Sequence, residues 1–544
     1  MADIDLQHAT ARDWHALRAA HRWVLPPDYN LAQDMVGKWA ASEPERLALI
    51  HLDPEGREHR HRYIDLDRAA NRLANALTAL GVGPGDRVAV LLAQSPEVIH
   101  VHLAAARMGA IAVPLFTLFG EEALEYRLAH SGAKAVLTSA ADLPKIAAIR
   151  ARLPALAAVL SVDGPEEGVH GLDALLAEAR DRFTPVATTP ETPVLISYTS
   201  GTTGPPKGAL HAHRVLLGHV PGVQLVHEFF PAPGDAMWTP ADWAWMGGLC
   251  NIAMPALRFG VPLLAHRMER FDPERAFGLM ARYGIRNAFL PPTALKLMRR
   301  VERPERFGAR LRSVGSGGES LGDELIAWGR ETLGLTINEF YGQTECNKVA
   351  GSCAGLGPPR SGAMGRALPG SEVGVLDAEG QPVPPGVAGE IAVKRGDAAM
   401  FLGYWQDEAR TAAKFTGEWM LTGDEATMDA EGYIRFASRT DDVITSSGYR
   451  IGPTEIEHCL VGHAAVAMAA VIGVPDPVRT ETVKAFVTLA PGHTPSDDLA
   501  ASLTAHVRLR LSPHLAPREV AFLERMPTTA TGKILRRALR DAQS

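Results

Sequence analysis

A chain of 544 residues is too long for one hydrophobic core, so more than one folding unit is expected, and its 46% hydrophobic and 22% charged residues are an ordinary globular balance. A formal net charge of −7 removes the basic footprint of a nucleic-acid-binding protein. The four cysteines, Cys250, Cys346, Cys353 and Cys459, form no C-x-x-C pair; zinc and thiol-redox motifs are unsupported, and their scarcity suits a reducing interior.

In chain order, the first 27 residues mix charges with Trp14 and Trp23 and predict a capping helix and arm. Asp3 and Asp5 stand where a secretory signal would need an apolar run, and cytoplasm is the expected compartment. An amphipathic helix is expected over 63–80, stopped by Gly81. Residues 87–92 read as a strand, 96–108 as a helix ended by Gly109, and 111–115 as the next strand. This rhythm implies right-handed crossovers and a parallel sheet. Further strands are expected at 134–138 and 157–162 with a helix between them. A Pro/Thr-rich connector, 184–193, leads to the apolar run Val194-Leu195-Ile196, a buried strand that ends in a loop.

A helix is expected over 209–220, carrying His211, His213 and His219 on one face; no carboxylate or cysteine accompanies them, so a metal set is disfavoured. The aromatic and glycine-rich stretch 239–248, with Trp243, Trp245 and Met246, reads equally as apolar core or as the wall of an acyl pocket. The longest uncharged run, 243–257, is about 15 residues and contains Pro255, short of the roughly 18 that a membrane span needs. Residues 285–290 form a strand stopped by Pro291 and Pro292. Residues 312–319 and 337–345 are strands running into glycine turns, placed where open α/β sheets bind ligands. Ser320 breaks a G-x-G-x-x-G fingerprint there, which argues against a dinucleotide site. Short β-like runs split by Gly and Pro over 365–436 predict a small β subdomain. After a charged break at 438–442, strands at 466–471, 484–489 and 520–523 and a helix at 499–509 predict a small α+β domain.

The chemistry concentrates in six stretches. Tyr198 to Gly208 reads Y-T-S-G-T-T-G-P-P-K-G: Thr199, Ser200, Thr202 and Thr203 supply hydroxyls, Gly201 and Gly204 flexibility, and Lys207 a cation. Convergent N–H groups, hydroxyls and an ammonium suit a polyphosphate, although the spacing is not that of a Walker A loop. Gly317-Gly318-Glu319 forms the first glycine turn. Tyr341-Gly342-Gln343-Thr344-Glu345 puts an aromatic face, a hydroxyl and a carboxylate in one turn. Thr422-Gly423-Asp424 places a carboxylate at a turn, and Arg439 to Asp442 precedes Ser447-Gly448-Tyr449-Arg450. Pro527 to Lys533 ends on an isolated lysine near the C-terminus.

In this order, these motifs resemble the adenylate-forming (AMP-binding) superfamily, from about residue 60 to the end of the chain. The resemblance implies an α/β fold: a large N-terminal domain of parallel sheets with a small β subdomain (1–437), a hinge (438–442) and a small mobile α+β C-terminal domain (443–544). It implies that residues 199–203 and Lys207 cradle the ATP phosphates, that Gly317, Gly318 and Glu319 flank adenine, and that Tyr341 stacks on it. Thr344 would contact the α-phosphate, Glu345 hold Mg²⁺, Asp424 bind ribose, and Arg439 meet phosphate or ribose. Asp441 would be the hinge, Gly448 with Arg450 the passage for the CoA arm, and Lys533 the catalytic lysine. Acetate-specialised relatives carry a tryptophan at the position of Gly342, so a deeper acyl pocket, lined by Trp243 and its neighbours, is expected here. The implied activity is an AMP-forming acyl-CoA synthetase for short- to medium-chain acids, using ATP, Mg²⁺ and CoA, as a monomer or homodimer. The alternatives are a free-standing enzyme that loads an acyl carrier protein and a ligase for aromatic, benzoate-like acids.

Overall fold

The helix–strand alternation of the first half builds a sheet whose centre is parallel. Helix Tyr63–Ala79 precedes strand Arg87–Leu91, and helix Pro96–Met108 starts on proline and ends at Gly109, whose φ of 67° closes it in the left-handed region. Strand Ile111–Pro114 then lies parallel to Arg87–Leu91, which is also parallel to Ala133–Thr138, followed by Ala158–Ser161. These are short apolar runs, buried on both faces as parallel strands must be. The computed structural model describes residues 5–6, 12–199, 205–318, 321–439, 444–527 and 536–543.

The second half of the large domain forms a nine-stranded sheet. At its centre Met237–Trp238, Asn287–Phe289, Ser313–Gly317 and Ile337–Gln343 run parallel, while Asn347–Gly351 turns back antiparallel to Ile337–Gln343. One continuous core joins the facing sides of the two sheets. Val90, Ala112 and Leu195 come from the first; Leu49, Phe289 and Phe340 come from the second. Helices Pro96–Met108 and Val215–Val226 fill the space between.

Residues 209–212 are not helical. Lys207–Ala212 is a strand in antiparallel register with Pro193–Thr199, Thr199 opposite Lys207 and Tyr198 opposite Gly208; the helix begins only at Val215. Sheet pairing beside an already buried strand overrides the local helical pattern. His211 therefore lies on a strand, His213 in the turn and His219 on the helix, and all three are buried.

The expected β subdomain is a five-stranded antiparallel sheet, with Trp419–Met428 paired to both Ala388–Lys394 and Ile434–Arg439. The C-terminal unit carries strands Ile444–Ser446, Tyr449–Ile451, Val466–Asp476, Thr480–Leu489 and Glu519–Phe522. Helices Pro453–Val461 and Asp497–Arg510 cover one face of its sheet, and Met526 and Leu539 pack on the other. This unit docks on the large domain. Gly120 donates its N–H to the Leu511 carbonyl, Ala123 enters the unit's core, and Arg127 lies 3.6 Å from Glu455 with both side chains nearly buried. Phe116 meets Tyr449 edge-on at 5.9 Å between ring centroids.

Candidate active site

The hairpin of Pro193–Thr199 and Lys207–Ala212 opens onto a cavity of about 270 Å³ between the large domain and the C-terminal unit. Thr199 and Tyr198 line it at the hairpin end; Ser200, Gly201, Thr202 and Thr203 lie outside the described residues. Lys207, at the returning strand, holds its ammonium 5.1 Å from the centre of the Tyr404 ring. The Tyr404 hydroxyl in turn donates to Glu345 at 2.5 Å, and the Phe401 N–H donates to the Glu345 carbonyl at 2.7 Å. The cation of one motif and the carboxylate of another thus meet on a tyrosine that no motif marks.

The strand Ile337–Gln343 supplies the opposite wall. Residues two apart on a strand share a face, so Tyr341 and Gln343 both turn toward Asp424. Its Oδ2 accepts from the Tyr341 hydroxyl at 2.7 Å and from Gln343 Nε2 at 2.5 Å. Gln343 also donates to the Thr422 carbonyl at 2.8 Å, and the Gly423 N–H donates to Glu390 at 2.6 Å, which pins the turn that carries Asp424. Asp424, 3% exposed, lines the cavity with Tyr341, Gln343 and Thr344. Burial and the neighbouring carboxylate push the Tyr341 hydroxyl well above its ordinary pKa, so it stays a donor. The period-two pairing of Tyr341 with Gln343 was available in the sequence; the partnership of Glu345 with Tyr404, 59 residues on, was not.

Gly317 and Gly318 line the cavity beside them, Gly318 with a φ of 91°. A Cβ added there would meet the Trp245 ring at 3.3 Å and approach the Gly448 carbonyl at 3.9 Å. The C-terminal hairpin Ile444–Ser446/Tyr449–Ile451 therefore enters the cavity, with Thr445, Gly448 and Tyr449 in its lining and Gly448 at a φ of 81°. Arg439 sits opposite Asp424 in the register of the β subdomain. The side chains of Arg439 and Arg450, and all of Glu319, Asp441 and Lys533, lie outside the described residues.

Two expectations about the acyl end change. Trp243, expected in the pocket wall, is a core side chain only 1% exposed; Trp245, Met246 and Gly247 line the cavity instead, with Phe289 and Phe340. Trp243 and Trp245 are two residues apart, and the turn before the short helix Met246–Gly248 sends one to the core and the other to the cavity. Gly342 does line the cavity, but a Cβ on it would collide with the Asn347 carbonyl. Its missing side chain permits the close approach of the two hairpin strands rather than opening a channel.

The sequence profile of the AMP-binding enzyme family matches residues 36–405, and that of the AMP-binding enzyme C-terminal domain matches residues 455–533. The chain belongs to the AMP-binding, adenylate-forming family. Acetyl-coenzyme A synthetase of Bacillus subtilis is 34% identical over 97% of this chain and 93% of that protein. The human mitochondrial acyl-coenzyme A synthetase ACSM5 is 33% identical over 100% and 95%. The crystal structure of an acyl-CoA synthetase from Brucella canis superposes with a TM-score of 0.71 at 35% identity, covering 99% of this chain and 98% of that one. The α/β architecture with its separate smaller C-terminal domain is thus that of an adenylate-forming enzyme, and these relatives are acid–thiol ligases. Among the described residues no helix is long and apolar enough to cross a membrane.

Proposed function

We propose that this adenylate-forming enzyme is an AMP-forming acyl-CoA synthetase for short- to medium-chain carboxylic acids. The observation that carries the reading is convergence: Tyr198 and Thr199 at the end of strand Pro193–Thr199, the Tyr341–Gln343–Asp424 cluster and the Gly448 hairpin all line one cavity. A carboxylate is a poor acylating agent, so the acid first attacks the α-phosphate of ATP. That forms the acyl–phosphate bond and expels pyrophosphate. The thiol of CoA then attacks the acyl carbonyl, loses its proton and expels AMP.

The residues divide that labour. Asp424, already accepting two hydrogen bonds, offers the ribose hydroxyls a charged acceptor, and charge-assisted bonds are about twice as strong as neutral ones. Tyr341 supplies an aromatic face, Thr344 a hydroxyl beside the α-phosphate, and Lys207 with the preceding loop a cradle for the outer phosphates. A single buried carboxylate beside phosphate oxygens suits Mg²⁺, which takes one or two carboxylates together with substrate phosphates; Glu345 would hold it, and the ion would neutralise charge on the polyphosphate. Lys533 is assigned to the charge that builds on the α-phosphate in the first step, and Gly448 to the passage of the CoA arm in the second. Asp441 is the position about which the C-terminal unit would turn between them.

The aromatic lining by Trp245, Phe289 and Phe340 favours one second reading, a ligase for aromatic acids. Initial rates of AMP release with acetate, butyrate, octanoate and benzoate, each with CoA or a holo acyl carrier protein as acceptor, test both. The proposal expects butyrate or octanoate with CoA to lead. Preference for benzoate would select the second reading, and strict dependence on the carrier protein would overturn both.

A further inference from the structure

Helix Glu121–Ser131 touches both the C-terminal unit and the stretch that enters the cavity, on two different faces. Positions 120, 123 and 127 follow one another at helical spacing and form the first face. There Gly120 donates its N–H to the Leu511 carbonyl, Ala123 joins the core of the C-terminal unit, and Arg127 approaches Glu455. A Cβ on Gly120 would collide with the Leu509 and Arg510 carbonyls, so this contact is backbone against backbone. Tyr126 and His130, stacked at 5.3 Å between ring centroids, mark the second face. The Tyr126 hydroxyl donates to the Pro206 carbonyl at 2.9 Å, and the Tyr198 hydroxyl donates to the Arg127 carbonyl at 3.2 Å. Tyr198 and Pro206 flank the stretch 199–205. One helix therefore holds both flanks of that stretch and the seat of the C-terminal unit.

Arg127 is the charged member of the first face, and it is buried. Its guanidinium lies 4.0 Å from the centre of the Phe119 ring, and its Nη1 donates to the Ala123 carbonyl at 2.8 Å. Its Nε has no partner among the described residues. The large domain thus offers this cation a ring and a carbonyl, whereas the carboxylate that faces it, 3.6 Å away, belongs to the C-terminal unit. Glu455 stands in the first turn of helix Pro453–Val461, which follows strand Tyr449–Ile451 of the Gly448 hairpin after one residue. A buried cation parted from its counter-charge is strongly penalised. With Gly448 in the cavity lining the pair is made; a C-terminal unit turned away would break it.

We propose that Arg127 is a positioning residue for acyl transfer. With Glu455 and the close contact at Gly120, it seats the C-terminal unit so that the Gly448 hairpin reaches the cavity, and it takes no part in adenylation. This role rests on the synthetase reading and adds to it the residues that select one of the two arrangements of the C-terminal unit.

The test separates the half-reactions in the full-length protein, with the acid it turns over fastest. Exchange of labelled pyrophosphate into ATP, without CoA, reports the first; acyl-CoA formation from supplied acyl-adenylate reports the second. Glu455→Gln should lower the second by about tenfold or more and leave the first unchanged. Gly120→Val, which blocks the same seat by volume and leaves every charge in place, should give the same split. The reversed pair, Arg127→Glu with Glu455→Arg, should recover part of the acyl transfer that Arg127→Glu alone loses. An arginine with a merely structural role would gain nothing from the second change. Equal losses in both half-reactions, or acyl transfer untouched in Glu455→Gln and Gly120→Val, would overturn this role while the unaltered enzyme's two activities keep the synthetase reading standing. An unaltered protein that performs neither half-reaction with acetate, butyrate, octanoate or benzoate would sink both.

Discussion

Asp424 is asked to do two things that a buried carboxylate seldom does together: anchor an aromatic hydroxyl and a side-chain amide, and face a cavity. Hydrogen bonds to a charged group contribute about 1.5–3 kcal/mol. Asp424→Asn should therefore lower kcat/KM for ATP by roughly 10- to 100-fold. Tyr341→Phe, which removes one of the two donors that hold this carboxylate but leaves the carboxylate itself, should lower it severalfold. Because the two groups touch, the double variant should lose less than the sum of the single losses; strict additivity in initial-rate kinetics would show that they act separately. Motif order had singled out both residues, as it had Glu345 and Lys207, and Asp424 and Tyr341 stand in the cavity lining. Gln343 was legible only as a strand neighbour of Tyr341. Tyr404 was not, because its place arises from packing across distant segments, on Glu345. Trp243 was misplaced because composition cannot say which of two tryptophans a turn sends inward.

Among the elements, two hairpins matter most. The first, 193–212, was read as strand, loop and helix; the local sequence carries the apolar pattern of both, and only pairing with Pro193–Thr199 decides for strand. The parallel strands Arg87–Leu91, Ile111–Pro114 and Ala133–Thr138, by contrast, were placed within a residue or two, since short apolar runs between glycine stops have few other solutions. The second hairpin brings Gly448 into the cavity with a φ of 81°, a conformation in which an L side chain is strained and would also occupy the lining. Gly448→Val should reduce acyl transfer to CoA by tenfold or more while pyrophosphate release in the absence of CoA persists. Lys533→Ala should show the reverse split, losing adenylate formation and keeping thioester formation from supplied acyl-adenylate. Both half-reactions falling together in either variant, measured in separate assays, would remove the division of labour assigned to these two positions.

The whole molecule carries its pH response in its interior. Burial lowers the pKa of His100, His102, His211, His213 and His514 to about 4 and of His219 to about 3. Between the ordinary histidine value and these, the unfolded chain binds protons that the folded chain refuses, so stability rises with pH across that window and is lost as pH falls through it. Asp242 and Asp397, raised to about 6, and Glu339, raised to about 7, act in the opposite sense, but they are three groups against six. The melting temperature should therefore fall steeply from about pH 6.5 toward pH 4; a flat profile there would mean that these histidines are solvated. The same scale holds the central claim, that two bodies closing over one cavity join an acid to CoA through an adenylate. The most direct measurement follows oxygen. With a turned-over acid whose carboxylate is labelled with ¹⁸O, one labelled oxygen should appear in the AMP phosphate as acyl-CoA forms. Label appearing in inorganic phosphate beside ADP, or AMP emerging unlabelled, would contradict attack of the carboxylate on the α-phosphate.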